Sequence, residues 1–170
     1  MCGLTGYLDA DGGSYEEMTK RLELMTHAIS HRGPDADGLW VDKEAGVGLG
    51  HRRLSIVDLS TAGQQPMTSS SGRFVMVFNG EIYNYQILKT LFPSDELYTG
   101  TDTEIIMLLY KYHGANCINY LNGMFSFIIL DLKAETIFVA RDAFGIKPLY
   151  WRVVEGELIF SSQVKALRYL

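Results

Sequence analysis

The sequence predicts an α+β domain in which antiparallel sheets carry helices on their outer faces. Three observations predict it. Helical periodicity is confined mainly to two stretches, opening near Ser14 and near Thr101. Strand-like runs fill the remainder without the βαβ alternation that a parallel sheet would show. Short turns at 133–135 and 155–157 separate successive strand runs near the end of the chain. With 170 residues and 47% hydrophobic content, the chain is one domain large enough to bury a substantial core. It contains neither an internal repeat nor a linker.

Residues 3–8 form the first predicted strand, an apolar run in which Gly3 and Gly6 let other backbone approach closely. A chain end fixed in a core strand is unusual, because termini normally fray. Cys2 stands immediately before it. Removal of Met1, which the small Cys2 side chain suits, would leave a thiol and a free α-amine on one carbon. Unperturbed α-amines have a pKa of about 7.7–8.0 and thiols of about 8.5. Near neutral pH such an amine can take the thiol's proton, directly or through a water, and later return it to a leaving amine. No histidine is required. The alternative is a cysteine with no chemical role.

Gly12 and Gly13 loosen a turn over 9–14, after which Ser14 and Glu17 form a capping box that opens a helix. Met18, Leu22, Met25 and Ile29 recur at helical spacing and face the core. His27 and His31 also sit four apart, but Ala28 stands where the zinc-protease pattern needs Glu, so they read as helix-end histidines. The block His31, Arg32, Gly33, Pro34, Asp35 ends the helix, since the residue before proline avoids helical backbone. Strand signals follow at 38–41 and 47–50. His51, Arg52 and Arg53 then abut the apolar residues 54–57. Such charge usually marks a solvated edge, whereas an arginine aimed inward would make a bidentate clamp for a carboxylate.

The polar stretch 60–72 reads as a loop. The run 73–78 is apolar at successive positions and so buries both faces. It ends at Asn79 and Gly80, a pair that signals a hairpin turn. The chemical alternative is that a buried Asn amide and an unobstructed Gly N–H at a strand end aim two donors at one oxyanion. A short helical stretch then reaches Leu91. Thr101 and Glu104 fit a second capping box, before a helix in which Ile105, Leu108, Leu109 and Tyr112 share one face. Asp102, at the first helical position, either complements the helix dipole or serves a ligand. Gly114 ends this helix and Cys117 reads as an ordinary buried thiol. Strands at 124–132, 136–141, 149–154 and 158–162 complete the chain.

A net charge of -5 without a basic cluster argues against a phosphate-backbone partner. No signal-peptide pattern and no bilayer-length apolar run is present. The two cysteines, Cys2 and Cys117, make no disulfide framework. These features describe a soluble, cytoplasmic protein that binds neither nucleic acid nor membrane.

Six motifs occur in a fixed order: Met1, Cys2, Gly3 at the start, HRGPD at 31–35, RLSIVD at 53–58, NGEIYN at 79–84, TGTDTE at 99–104 and RDAFGIKPLY at 141–150. In these the chain resembles class II glutamine amidotransferase domains, and is most similar to the N-terminal domain of glutamine-hydrolysing asparagine synthetases. The glucosamine-phosphate synthase and amidophosphoribosyltransferase types share the N-terminal Cys and the Asn-Gly pair, while HRGPD and RLSIVD set this chain apart from them. The resemblance covers essentially residues 1–170, and implies the four-layer αββα sandwich of N-terminal-nucleophile hydrolases. Gln163 stands where that family often has Glu, which bears on the subfamily.

The resemblance also implies roles. Cys2 would be the nucleophile, forming a γ-glutamyl thioester and releasing ammonia. Arg53 would hold the α-carboxylate of L-glutamine, with the backbone of Leu54, Ser55, Ile56 and Val57 lining the pocket. Asn79 and the Gly80 N–H would form the oxyanion hole. Glu81 and Asp102 would bind around the substrate, Asp102 on its α-ammonium. No cofactor or metal is implied for this domain. ATP and Mg would belong to a synthetase domain or subunit, absent from residues 1–170, that amidates an acceptor with the ammonia. Neither Gly12 and Gly13 nor the segment Ser69, Ser70, Ser71, Gly72 reads as a phosphate cradle. The substrate logic agrees: glutamine carries an anion and a cation on its α-carbon, and rejecting glutamate requires its carboxamide to be read by hydrogen bonds. The leading expectation is a glutaminase that feeds ammonia to a synthetase. The competing readings are a glutamine-binding regulatory module without turnover, and an N-terminal-nucleophile peptidase or acylase acting on another amide.

Overall fold

The computed structural model describes residues 2–9, 11–54 and 63–169. The chain runs β1 (Gly3–Leu8), α1 (Tyr15–Ala28), β2 (Ala36–Asp42), β3 (Val47–Arg53), β4 (Met67–Thr68), β5 (Phe74–Ile82), α2 (Tyr85–Lys89), α3 (Asp102–His113), β6 (Gly123–Asp131), β7 (Thr136–Arg141), β8 (Tyr150–Val154) and β9 (Glu157–Ser161). The strands form two antiparallel sheets, ordered β2-β3-β1-β9-β8 and β4-β5-β6-β7.

Strand alternation divides the apolar residues into three layers. Leu4, Val47, Leu49, Val75, Val77, Ile128, Leu130 and Phe160 meet between the sheets. The opposite face of the first sheet presents Tyr7 and Ile159 to Met18, Leu22 and Met25 of α1. The opposite face of the second presents Phe74, Met76, Phe78, Phe127 and Ile129 to Ile105, Ile106 and Leu109 of α3. The result is the four-layer αββα sandwich. No helix among the described residues is long and apolar enough to cross a membrane.

Helix α1 opens as its sequence dictates: the Ser14 hydroxyl accepts the Glu17 N–H while the Glu17 carboxylate accepts the Ser14 N–H, completing the capping box. Helix α3 departs from expectation in two ways. The Thr101 hydroxyl does accept the Glu104 N–H, but the Glu104 carboxylate reaches back past the Thr101 amide to the preceding loop. Tyr112 is exposed rather than on the buried face, because the second sheet underlies Ile105, Ile106 and Leu109 instead.

Asn79 and Gly80 make no hairpin turn. Strand β5 runs straight through them to Ile82, pairing Asn79 with Ser126 and Gly80 with Phe125 of β6. The local turn preference loses because the extended register continues for nine residues, and because a Cβ on Gly80 would lie 2.4 Å from the Met124 carbonyl. Glycine is needed here for close strand approach, not for a turn. Likewise His51 and Arg53 end β3 rather than forming a solvated edge, and the loop expected over 60–72 holds the short strand β4 in its described part.

Candidate active site

Parity along each strand decides what points between the sheets. Cys2 precedes β1 in phase with Leu4, His51 and Arg53 follow Val47 and Leu49 on β3, and Asn79 follows Val75 and Val77 on β5. Arg52, out of phase, turns to the other face, where its Nε donates to the Gly33 carbonyl at 3.0 Å and its guanidinium lies 3.5 Å from Asp37.

At this end of the sandwich a cavity of about 330 Å³ is lined by Cys2, Arg53, Leu54, Glu81 and Asp102, together with His51, Gln65, Tyr85 and the rim from Gly100 to Thr103. Its size lies within the range of small-molecule sites. Of the residues singled out from sequence, these five share one cavity. Asn79 and Gly80 sit on β5 between Phe78 and Glu81, which both line it. Ser55, Ile56 and Val57 lie outside the described residues, as does Met1.

The sulfur of Cys2 is held by one backbone residue. The Leu54 N–H donates to Sγ at 3.4 Å and the thiol faces the Leu54 carbonyl at 3.6 Å. Arg32 Nε donates to the Cys2 carbonyl at 2.9 Å, fixing the strand start from the other side. Lys147 is buried within electrostatic reach of Cys2, Arg32 and Glu81, and burial, the largest influence, pushes its ammonium pKa down.

Asp102 accepts the Ile82 N–H at 3.2 Å, tying the start of α3 to the end of β5. Burial raises its pKa above the usual carboxylate value, the hydrogen bonds it accepts oppose that, and the neighbouring charge of Glu81 adds to the rise. The cavity thus sets two carboxylates and a guanidinium beside a thiol. Asn79 is 1% exposed, and its Nδ2 group has no acceptor among the described residues, as is also true of the Ser126 hydroxyl paired with it across the strands. A buried donor without an acceptor is costly unless a reacting group supplies one.

His51, Gln65 and Tyr85 are lining residues that sequence reasoning missed. His51 had a usable signal, its phase with Val47, Leu49 and Arg53. Its Nε2 lies 3.1 Å from the Phe78 carbonyl and must carry the proton there, since a carbonyl only accepts. Burial drives its pKa down to about 4, so the ring is neutral near pH 7. Gln65 Oε1 accepts the Phe78 N–H at 2.6 Å, a contact that no local pattern in a loop sequence announces.

Among the described residues no group of three or more His, Cys, Asp or Glu is arranged to hold a metal. The two glycine-containing segments noted in the sequence lead into different elements. The Gly12 and Gly13 turn leads into α1, where Ser14 and Glu17 cap each other. The Ser69 to Gly72 segment leads into strand β5 rather than a helix.

A family model described as a glutamine amidotransferase domain matches residues 1–170. The chain is 42% identical over 168 residues to a glutamine-hydrolysing asparagine synthetase of Bacillus subtilis, covering 98% of this chain and 22% of that protein. It is 40% identical over 183 residues to a putative glutamine-hydrolysing asparagine synthetase of Methanocaldococcus jannaschii, covering 98% and 35%. It is 37% identical over 175 residues to the amidase chry2 of Gibberella zeae, covering 98% and 26%. The chain therefore spans only about a fifth to a third of the length of these curated relatives. Its fold is similar to that of a glutamine phosphoribosylpyrophosphate amidotransferase from Bacillus subtilis, with a TM-score of 0.79 at 21% identity over 99% of this chain and 43% of that one.

Proposed function

The chain belongs to the glutamine amidotransferase domain family, and from that premise we propose that it hydrolyses L-glutamine to glutamate and ammonia through Cys2. One observation carries the reading: a thiol, a guanidinium and two carboxylates line a single cavity. Glutamine matches that set. Its α-carboxylate pairs with Arg53, its α-ammonium with Asp102 and Glu81, and its carboxamide lies toward Cys2.

With Met1 removed, the Cys2 α-amine takes the thiol proton as sulfur attacks the carboxamide carbon. The tetrahedral oxyanion is met by Asn79 Nδ2 and the Gly80 N–H. Collapse breaks the C–N bond, the protonated amine returns its proton to the departing nitrogen, and ammonia leaves a γ-glutamyl thioester. Water, deprotonated by the same amine, then cleaves the thioester to glutamate and restores the thiol.

Residues 1–170 act as the glutaminase domain of a larger amidating system. The names and greater length of the asparagine synthetase relatives support a synthetase domain or subunit as partner; in this proposal that partner uses ATP to activate a carboxylate acceptor such as aspartate. The test is glutamate formation by the Met1-free chain, measured with and without ATP. Equal rates support the reading. Saturable ATP binding by residues 1–170, amidation of aspartate by them alone, or hydrolysis of other amides but not glutamine, would overturn it.

A further inference from the structure

Glu104 is 6% exposed, yet among the described residues it neither lies in an ion pair nor completes the capping box expected of it. Its Oε1 accepts the Tyr98 N–H at 2.8 Å. Its Oε2 accepts the Thr99 N–H at 3.0 Å, the Gly100 N–H at 2.9 Å and the Thr99 hydroxyl at 3.1 Å. The Thr101 amide, displaced from its usual partner, donates instead to Thr99 Oγ1 at 3.2 Å. One buried carboxylate thus gathers three consecutive backbone amides of the segment leading into Asp102.

That segment has little else to hold it. Tyr98 is 70% exposed and Gly100 sits at φ +69°, a left-handed conformation that glycine favours. The segment also forms the wall between two cavities, the candidate site on the Gly100 and Asp102 side and a second of about 570 Å³ on the Tyr98 and Thr99 side. Packing cannot fix a wall with open space on both sides, whereas charge-assisted hydrogen bonds to a desolvated carboxylate can.

We propose that Glu104 is a positioning residue, which by gathering the 98–100 amides holds Asp102 where it receives the α-ammonium of the substrate. The proposal rests on the reading of the cavity given above. Glutamine at this position cannot fully substitute for glutamate: whichever way its amide is turned, an N–H group faces a backbone N–H, that of Tyr98 or those of Thr99 and Gly100.

The test is the steady-state kinetics of the processed full chain carrying Glu104→Gln, with L-glutamine and with glutaramate, which lacks the α-amine. The expected result is a KM for glutamine raised about tenfold or more with kcat nearly unchanged, as when a contact to the unreacting end is lost. Hydrolysis of glutaramate should be equal in variant and parent. The Asp102→Asn, Glu104→Gln double variant should be no worse than Asp102→Asn, because both act on one contact. If Glu104→Gln does not fold, Thr99→Val removes one donor from the carboxylate, and with it the acceptor of the Thr101 amide, and should also raise the KM for glutamine with the same glutaramate result. An unchanged KM, an equal loss on both substrates, or additive effects would overturn the proposal. An Asp102→Asn variant with normal glutamine KM would instead overturn the reading of the cavity, and this assignment with it.

Discussion

Two thiols in this chain occupy opposite environments, and that contrast gives the first prediction at the scale of single residues. Cys2 borders a cavity, whereas Cys117 is fully buried and burial pushes its pKa up to about 11. A glutamine-mimicking electrophile should therefore label Cys2 and spare Cys117, and peptide mapping that found the label on Cys117 would contradict the assignment. The ends of the substrate separate kinetically. Arg53→Ala and Asp102→Ala should mainly raise KM, each removing a contact to the unreacting end. Asn79→Ala should mainly lower kcat, by about 10²–10³-fold if it behaves like other lost oxyanion donors. Because burial raises the Asp102 pKa, glutamine binding should weaken as pH falls from a higher pH than an ordinary carboxylate would give; a KM flat down to pH 4 would count against its role. Cys2 and Arg53, which border one cavity, stood out in the sequence because a cysteine next to the N-terminus and an arginine abutting an apolar run are local patterns. Glu104 was misread as half of a capping box, since nothing local reveals that a side chain will bypass the nearest amide.

At the scale of elements, the site depends on how two sheets are held at a fixed separation. His51 of β3 donates across to the Phe78 carbonyl of β5, next to Asn79. The folded-state pKa of about 4 lies below the ordinary histidine value of 6.5. The unfolded chain therefore binds the proton more tightly, and the stability from this group is full above pH 6.5 and lost as pH falls toward 4. The loss amounts to about 3 kcal/mol. His51→Gln, which can still donate but does not titrate, should flatten the stability profile between those limits; an unchanged profile by chemical denaturation would refute this. Gly80→Ala places a methyl 2.4 Å from the Met124 carbonyl and 2.8 Å from Phe125 Cα, both backbone. It should force β5 from β6, costing about 1–3 kcal/mol and lowering kcat along with thermal stability. A variant with wild-type melting temperature would show that the strand pair is more yielding than its register suggests. The same pair shows where local reading stops: Asn-Gly is a turn signal until nine residues of cross-strand pairing outweigh it.

The molecule as a whole uses three apolar layers to bring residues from distant parts of the chain to one end of a sandwich. The layering was legible, because helical and strand periodicities assign faces. The junctions were not: Gln65 bridges to Phe78, and Asp102 to Ile82, through contacts between elements that sequence spacing does not encode. The central claim is that this end of the sandwich binds glutamine and forms a thioester on Cys2. Its most direct test is intact-mass analysis of the Met1-free chain, acid-quenched during turnover of glutamine. The account predicts a γ-glutamyl adduct that maps to Cys2, disappears when glutamine is exhausted, and is absent from Cys2→Ala together with ammonia release. An unmodified chain that binds glutamine without releasing ammonia, or a Cys2→Ala chain that still releases it, would contradict the account.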